Sequence, residues 1–204
     1  AQLLRLGLFA IFASTFLELV GYFMLMPLLL LRLKGADIST TVAGLFAATG
    51  WAGIFLFTPF ASWVTQQLGR RPTLWLSAAV PAAAALGFAF TSNLVVWFVL
   101  QLLSGAASGL RWVLSEAIVA EFSPPGQRGR YVGLFETMVG ATFVVGPALL
   151  AWVGPGQPAA VWLVLALMVL GLAVSLLIPQ VPAAEDAPHA RVGAAGVWMA
   201  LVRH

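Results

Sequence analysis

Between Leu6 and Leu31 the chain runs for 26 residues with one charged side chain, Glu18, near the middle. About 20 apolar residues let a helix cross the roughly 30 Å hydrocarbon core of a bilayer, so this stretch is long enough to span. It is also longer than the apolar core of a secretory signal, about 7–15 residues, and is expected to stay in the membrane. An ionised carboxylate at that depth costs about 2.5 kcal/mol or more. Glu18 must therefore face water, meet a partner or stay protonated, which makes it the first candidate functional residue.

The same pattern recurs along the chain. Of 204 residues 61% are hydrophobic and only 8% charged, against about 25% charged in ordinary soluble domains. Apolar runs separated by turn signals give six spans, near 6–31, 42–65, 73–91, 94–119, 131–153 and 159–178. The expected fold is an all-α membrane protein, a six-helix transmembrane bundle over residues 1–178. Residues 179–204 turn to Pro, Ala and charges and then to a short apolar run from Val192 to Val202. They read as a cytoplasmic linker followed by an interfacial helix or the lead-in to a further span.

The charge between spans sets orientation. One side collects Arg5, Arg70, Arg71, Arg128, Arg130, Arg191 and Arg203, the other only Arg32 and Lys34. The positive-inside rule then places both ends in the cytoplasm, as in a bacterial inner membrane protein. A net charge of +3 scattered in small groups explains topology and not a nucleic-acid surface. Trp63, Trp75, Trp97, Trp152 and Trp162 fall near span ends, where amphipathic rings favour the headgroup region. Cysteine is absent, which excludes disulfides and thiolate metal sites, and the spans offer no metal-ligand cluster and no histidine to activate a serine. Neither an enzyme nor a bound cofactor is expected.

Four charged residues fall inside spans: Glu18, Arg111, Glu116 and Glu136. In the fourth span Gln101, Ser104, Ser108, Arg111 and Ser115 follow at intervals of 3, 4, 3 and 4, one polar stripe on a helix. In the first, Ser14, Glu18 and Gly21 share a face, with Tyr22 beside it. At about 1.5 Å per residue Glu18 and Arg111 lie at overlapping depths, so an ion pair is expected between them. It is either a static pair fixing helix register or part of a pathway. Glu116 points away from Arg111, within snorkelling reach of the surface. Glu136 lies on a face with Gly133, Gly140 and Pro147, where small residues allow close helix approach. It is either a packing partner of Arg128 or Arg130 or a second ionisable cavity group. Pro27, Pro59, Pro81 and Pro147 fall within or near span ends and permit bends.

Between spans two and three, Ser62-Trp-Val-Thr-Gln-Gln-Leu-Gly69-Arg70-Arg71 resembles the loop motif G-x-x-x-D-R-x-G-R-R of the major facilitator superfamily. Gly69, Arg70 and Arg71 match, while Ser62, Gln66 and Gln67 replace the glycine, aspartate and arginine, so the acid of the family's cytoplasmic latch is absent. The fifth span carries Gly140-Ala-Thr-Phe-Val-Val-Gly146-Pro147, similar to the glycine-proline motif of the family's exporters. The fourth has Gln101-Leu-Leu-Ser-Gly105 where many members have R-x-x-Q-G.

The resemblance covers essentially the whole chain and implies an N-terminal half, built from two inverted three-helix repeats, of a twelve-span transporter. It implies that the first and fourth helices line a central cavity. The expected cavity residues are Glu18, Tyr22, Trp51, Gln101, Ser108, Arg111, Trp112 and Glu136, and Gln66, Gly69, Arg70 and Arg71 are expected to form a cytoplasmic gating loop. It further implies alternating access, a small-molecule substrate and a second six-helix half, either a missing C-terminal half or a second copy. In such a transporter Glu18 is expected to bind a coupling proton or a cationic substrate, with Arg111 modulating its pKa. The abrupt stop after Val192–His204 favours a truncated chain. The competing expectation is a membrane scaffold or assembly partner that transports nothing.

Overall fold

A computed structural model describes residues 2–179. The expected linker and any seventh span, from residue 180 onward, lie outside the described residues. Seven α-helices follow in chain order: α1 (Gln2–Gly35), α2 (Thr40–Phe57), α3 (Ala61–Leu68), α4 (Arg70–Phe90), α5 (Leu94–Phe122), α6 (Arg128–Val153) and α7 (Pro158–Ser175). A 3₁₀ turn at Thr58–Phe60 joins α2 to α3, so these two make one span, Thr40–Leu68. The described residues thus contain six helical segments long and apolar enough to cross a membrane. No strand occurs among them.

Local chemistry explains the boundaries. Asn93 caps α5, its Oδ1 accepting from the Val95 and Val96 amides at 2.9 and 3.2 Å, and Ser39 accepts from Val42 to start α2. Gly69, at φ 86°, is the single residue between α3 and α4, a conformation that L side chains rarely adopt. The turn expected around 68–72 is accordingly tighter, and Arg70 and Arg71 open α4. Of the four prolines named above, only Pro59 interrupts its helix, while Pro27, Pro81 and Pro147 lie inside continuous α-helix. Helix α1 outruns the expected 6–31 because Arg32 and Lys34, counted as loop, occupy its last turn, where cations suit the helix dipole.

The bundle buries its residues in three layers. At the arginine-rich end Leu8, Ile11, Leu74, Leu114, Ile118, Val119, Phe122, Phe135 and Val139 form one apolar cluster. At the opposite end Met24, Leu28, Leu29, Phe46, Phe88, Trp97, Val164 and Met168 belong to another. Trp97 differs from expectation: it is a core residue, and its indole N–H donates to the Thr91 carbonyl at 2.7 Å, closing the α4–α5 turn instead of reaching the headgroups. Trp152 and Trp162 are exposed. Between the clusters lies a belt of buried polar side chains: Ser14, Thr15, Glu18, Ser77, Ser104, Arg111 and Ser115.

Helix α1 runs through the middle of the packing, against α5, α6 and α7, while α2 packs on α5 and α4 on both α5 and α7. The α2–α5 contact is a backbone contact. A Cβ on Gly105 would collide with the Gly50 carbonyl, and one on Gly53 would approach Ala106 N at 2.8 Å. Much of α2 and α6, by contrast, faces outward: Leu45, Phe55, Leu56, Leu134 and Val144 are exposed, and a Cβ on Gly44, Gly133 or Gly140 would meet nothing.

Candidate functional site

The polar belt is built by α1 and α5, with Ser77 from α4. The 3-4-3-4 spacing on α5 puts Gln101, Ser104, Arg111 and Ser115 on the side turned into the bundle, all buried, with Ser108 half-buried at the margin. On α1, Ser14 and Glu18 come from successive turns to meet them. Arg111 Nη2 lies 3.3 Å from Glu18 Oε1, with Arg111 2% and Glu18 9% exposed in their side chains. Arg111 is committed elsewhere as well: Nη2 donates to Ser14 Oγ at 2.7 Å and Nη1 to the Leu74 carbonyl at 3.2 Å. Glu18 Oε1 and Arg111 Nε make no hydrogen bond. The two charges are therefore in contact, with the hydrogen-bond geometry spent on α1 and α4.

This arrangement compensates burial. A lone charge at this depth is costly, and the opposite charge, with both Nη atoms of Arg111 hydrogen-bonded, offsets part of that cost. Room for the carboxylate comes from α7, where Gly171 lies against Glu18; a Cβ there would approach Ser14 O at 3.0 Å. A Thr15–Ser115 hydrogen bond of 3.3 Å ties α1 to α5 beside the pair.

The pair borders a groove, with Arg111 in its wall and Glu18 behind it. Thr15, Leu19, Tyr22, Phe23, Trp51, Ile54, Ser108, Arg111, Trp112, Phe135 and Val139 line a narrow depression with a cavity volume of about 20 Å³. Of the expected cavity residues this brings together Tyr22, Trp51, Ser108, Arg111 and Trp112. Glu18 lines a smaller pocket on the inner side, shared with Tyr22, Ser77, Ser108 and Arg111. Gln101 sits deeper, its amide donating to Met26 Sδ at 3.6 Å. Glu136, half-buried, accepts from the Trp112 indole at 3.2 Å. Glu116 is exposed on α5.

At the arginine-rich end, the gating-loop residues separate. Gln66 is exposed, and Gly69 supplies the turn. Arg70 Nη1 meets Glu121 Oε2 at 2.6 Å, joining the start of α4 to the end of α5. Arg71 reaches the other way, donating to the Leu176 carbonyl just beyond α7 at 3.1 Å, with its guanidinium 4.9 Å from the Trp75 ring centroid. Sequence reasoning passed over Glu121. Its signal was available: it ends the fourth span on the side that the charge count assigns to Arg70.

A family model described as Major Facilitator Superfamily matches residues 11–204. The chain belongs to the Major Facilitator Superfamily. Within the superfamily it is 25% identical over 124 residues to YfkF of Bacillus subtilis, an uncharacterized MFS-type transporter, covering 61% of this chain and 32% of that protein. It is 21% identical over 142 residues to the quinolone resistance protein NorA of Staphylococcus aureus, covering 70% of this chain and 37% of the relative. The chain thus spans about a third of the length of the curated relatives it matches. The superfamily match and six apolar helices identify an integral membrane protein with the fold of an N-terminal half.

Proposed function

We propose that the chain is the N-terminal half of a secondary active transporter that moves a small solute by alternating access, with protons as the coupling ion. The observation that carries this reading is the Glu18–Arg111 contact at mid-depth, bordering an aromatic groove. A carboxylate whose charge is offset by a single guanidinium, and which accepts no hydrogen bond at Oε1, changes its interaction energy sharply when it gains or loses a proton. Protonation frees Arg111 from its counter-charge and biases the packing of α1 against α5. That is the kind of two-state element to which a transport cycle can couple.

A half of this kind needs a second six-helix half, and the outward faces of α2 and α6 are suited to receive one. The bacterial transporter relatives support a cell-membrane location, and the arginine distribution supports cytoplasmic ends. The Arg70–Glu121 pair gives the loop motif's arginine an acidic partner on α5, and in place of the aspartate absent at Gln66 it serves as the cytoplasmic latch of this half.

The test is Glu18→Gln in the full-length protein, reconstituted in liposomes under an imposed proton gradient. Proton-driven solute flux is expected to fall to background while insertion and expression are retained. Undiminished flux would remove the coupling role. A protein showing no solute flux in any gradient, with normal assembly onto partner helices, would instead be a scaffold.

A further inference from the structure

The Glu18–Arg111 pair cannot be the group that meets a solute's charge. Arg111 reaches the groove wall, but its charge is offset by the buried Glu18. Both Nη atoms of Arg111 are further bound, to the Leu74 carbonyl and to Ser14, and its remaining Nε is buried. The acid on the groove side is a different one. Glu136 lies on α6 between the groove residues Phe135 and Val139, and its carboxylate is held by the indole N–H of Trp112, itself part of the groove wall. No arginine or lysine among the described residues pairs with it.

About two turns further along α6 from Glu136 the wall is aromatic. The rings of Trp51 and Phe143, each 40% exposed, lie within 9° of parallel with centroids 6.5 Å apart. Phe23 lies against Phe143 at 3.9 Å. Helices α1, α2 and α6 thus present flat π faces within about two helical turns of one uncompensated acid. Such faces attract planar rings and cations, and the carboxylate adds a charge of the matching sign.

We propose that Glu136, positioned by Trp112, reads the positive charge of the solute, and that the solute is an organic cation with a flat aromatic part. This rests on the transport reading above and adds a division of labour to it: Glu18 carries the proton and Glu136 selects the cargo.

The experiment uses the full-length protein in lipid nanodiscs and three probes matched in ring size, 1-methylquinolinium, 1-methylnaphthalene and 1-naphthoate, with empty nanodiscs as blank. The cation is expected to bind about tenfold or more tighter than the neutral ring. Glu136→Gln, which still accepts from Trp112, should erase that preference and leave the neutral probe's affinity in place. Glu136→Lys should transfer the preference to naphthoate. Glu116→Gln, an open acid one turn from Trp112, should change nothing. Equal affinity for all three probes, a preference that survives in Glu136→Gln, or an equal loss in Glu116→Gln would overturn the assignment. Proton-driven flux of other solutes with no charge preference leaves the transport reading standing and removes this one. Charge-selective binding in a protein that supports no flux does the reverse.

Discussion

Arg111 has a position with little tolerance. Truncating either member of a buried pair strands the other charge, and the usual cost is about 3–5 kcal/mol. Arg111→Met is therefore expected to lower thermal stability in detergent by an amount of that order. The double variant Glu18→Leu with Arg111→Met should recover most of it, because no charge is left unpaired. Thermal unfolding of the single and double variants checks this, and additive losses would show that the two residues do not interact. At this scale the sequence was informative where spacing decides the outcome: four of the five stripe residues on α5 are buried. It was silent on how Arg111 divides its donors. Ser14 Oγ and the Leu74 carbonyl become partners only when α1 and α4 dock, and a carbonyl carries no residue-type signature.

Among elements, the tightest junction is α2 against α5. Gly105→Ala would drive a methyl group into the Gly50 carbonyl, and forced overpacking of this kind costs about 1–3 kcal/mol. Gly44→Ala on the open side of α2 meets nothing and should be neutral or slightly stabilising, since alanine favours the helix. Paired thermal unfolding of these variants measures the difference. The six segments were readable from apolar length alone, because the bilayer imposes that length. The kink at Thr58–Phe60 was not, since Pro59 has the same local chemistry as Pro81 and only packing distinguishes them. Trp97 fails as an interfacial anchor for a related reason: Phe46 and Phe88 lie beside it in the core.

For the whole molecule, the open faces of α2 and α6 make a prediction that this cysteine-free sequence can test cleanly. Cysteines at Gly133 and Gly140, where nothing in this half approaches, should react with a membrane-permeant maleimide in the isolated chain and become protected in the full-length protein. Equal labelling rates in both would place the partner half elsewhere. Such surfaces were only partly legible: the small-residue spacing on α6 was visible, but its freedom within this half required the packed bundle.

The three-layer core has an electrical consequence. Apolar clusters on either side of the polar belt act as two thicknesses of insulator, and Glu18 sits near the midpoint of α1 between them. A membrane potential falls across such layers at about 2.3 kcal/mol per elementary charge per 100 mV over the full thickness. In the proposed proton-coupled cycle, a proton reaching Glu18 from either compartment would cross roughly half of that drop. Under that proposal its occupancy would be set by voltage as well as by pH, and each half-turn of the cycle would carry part of an elementary charge.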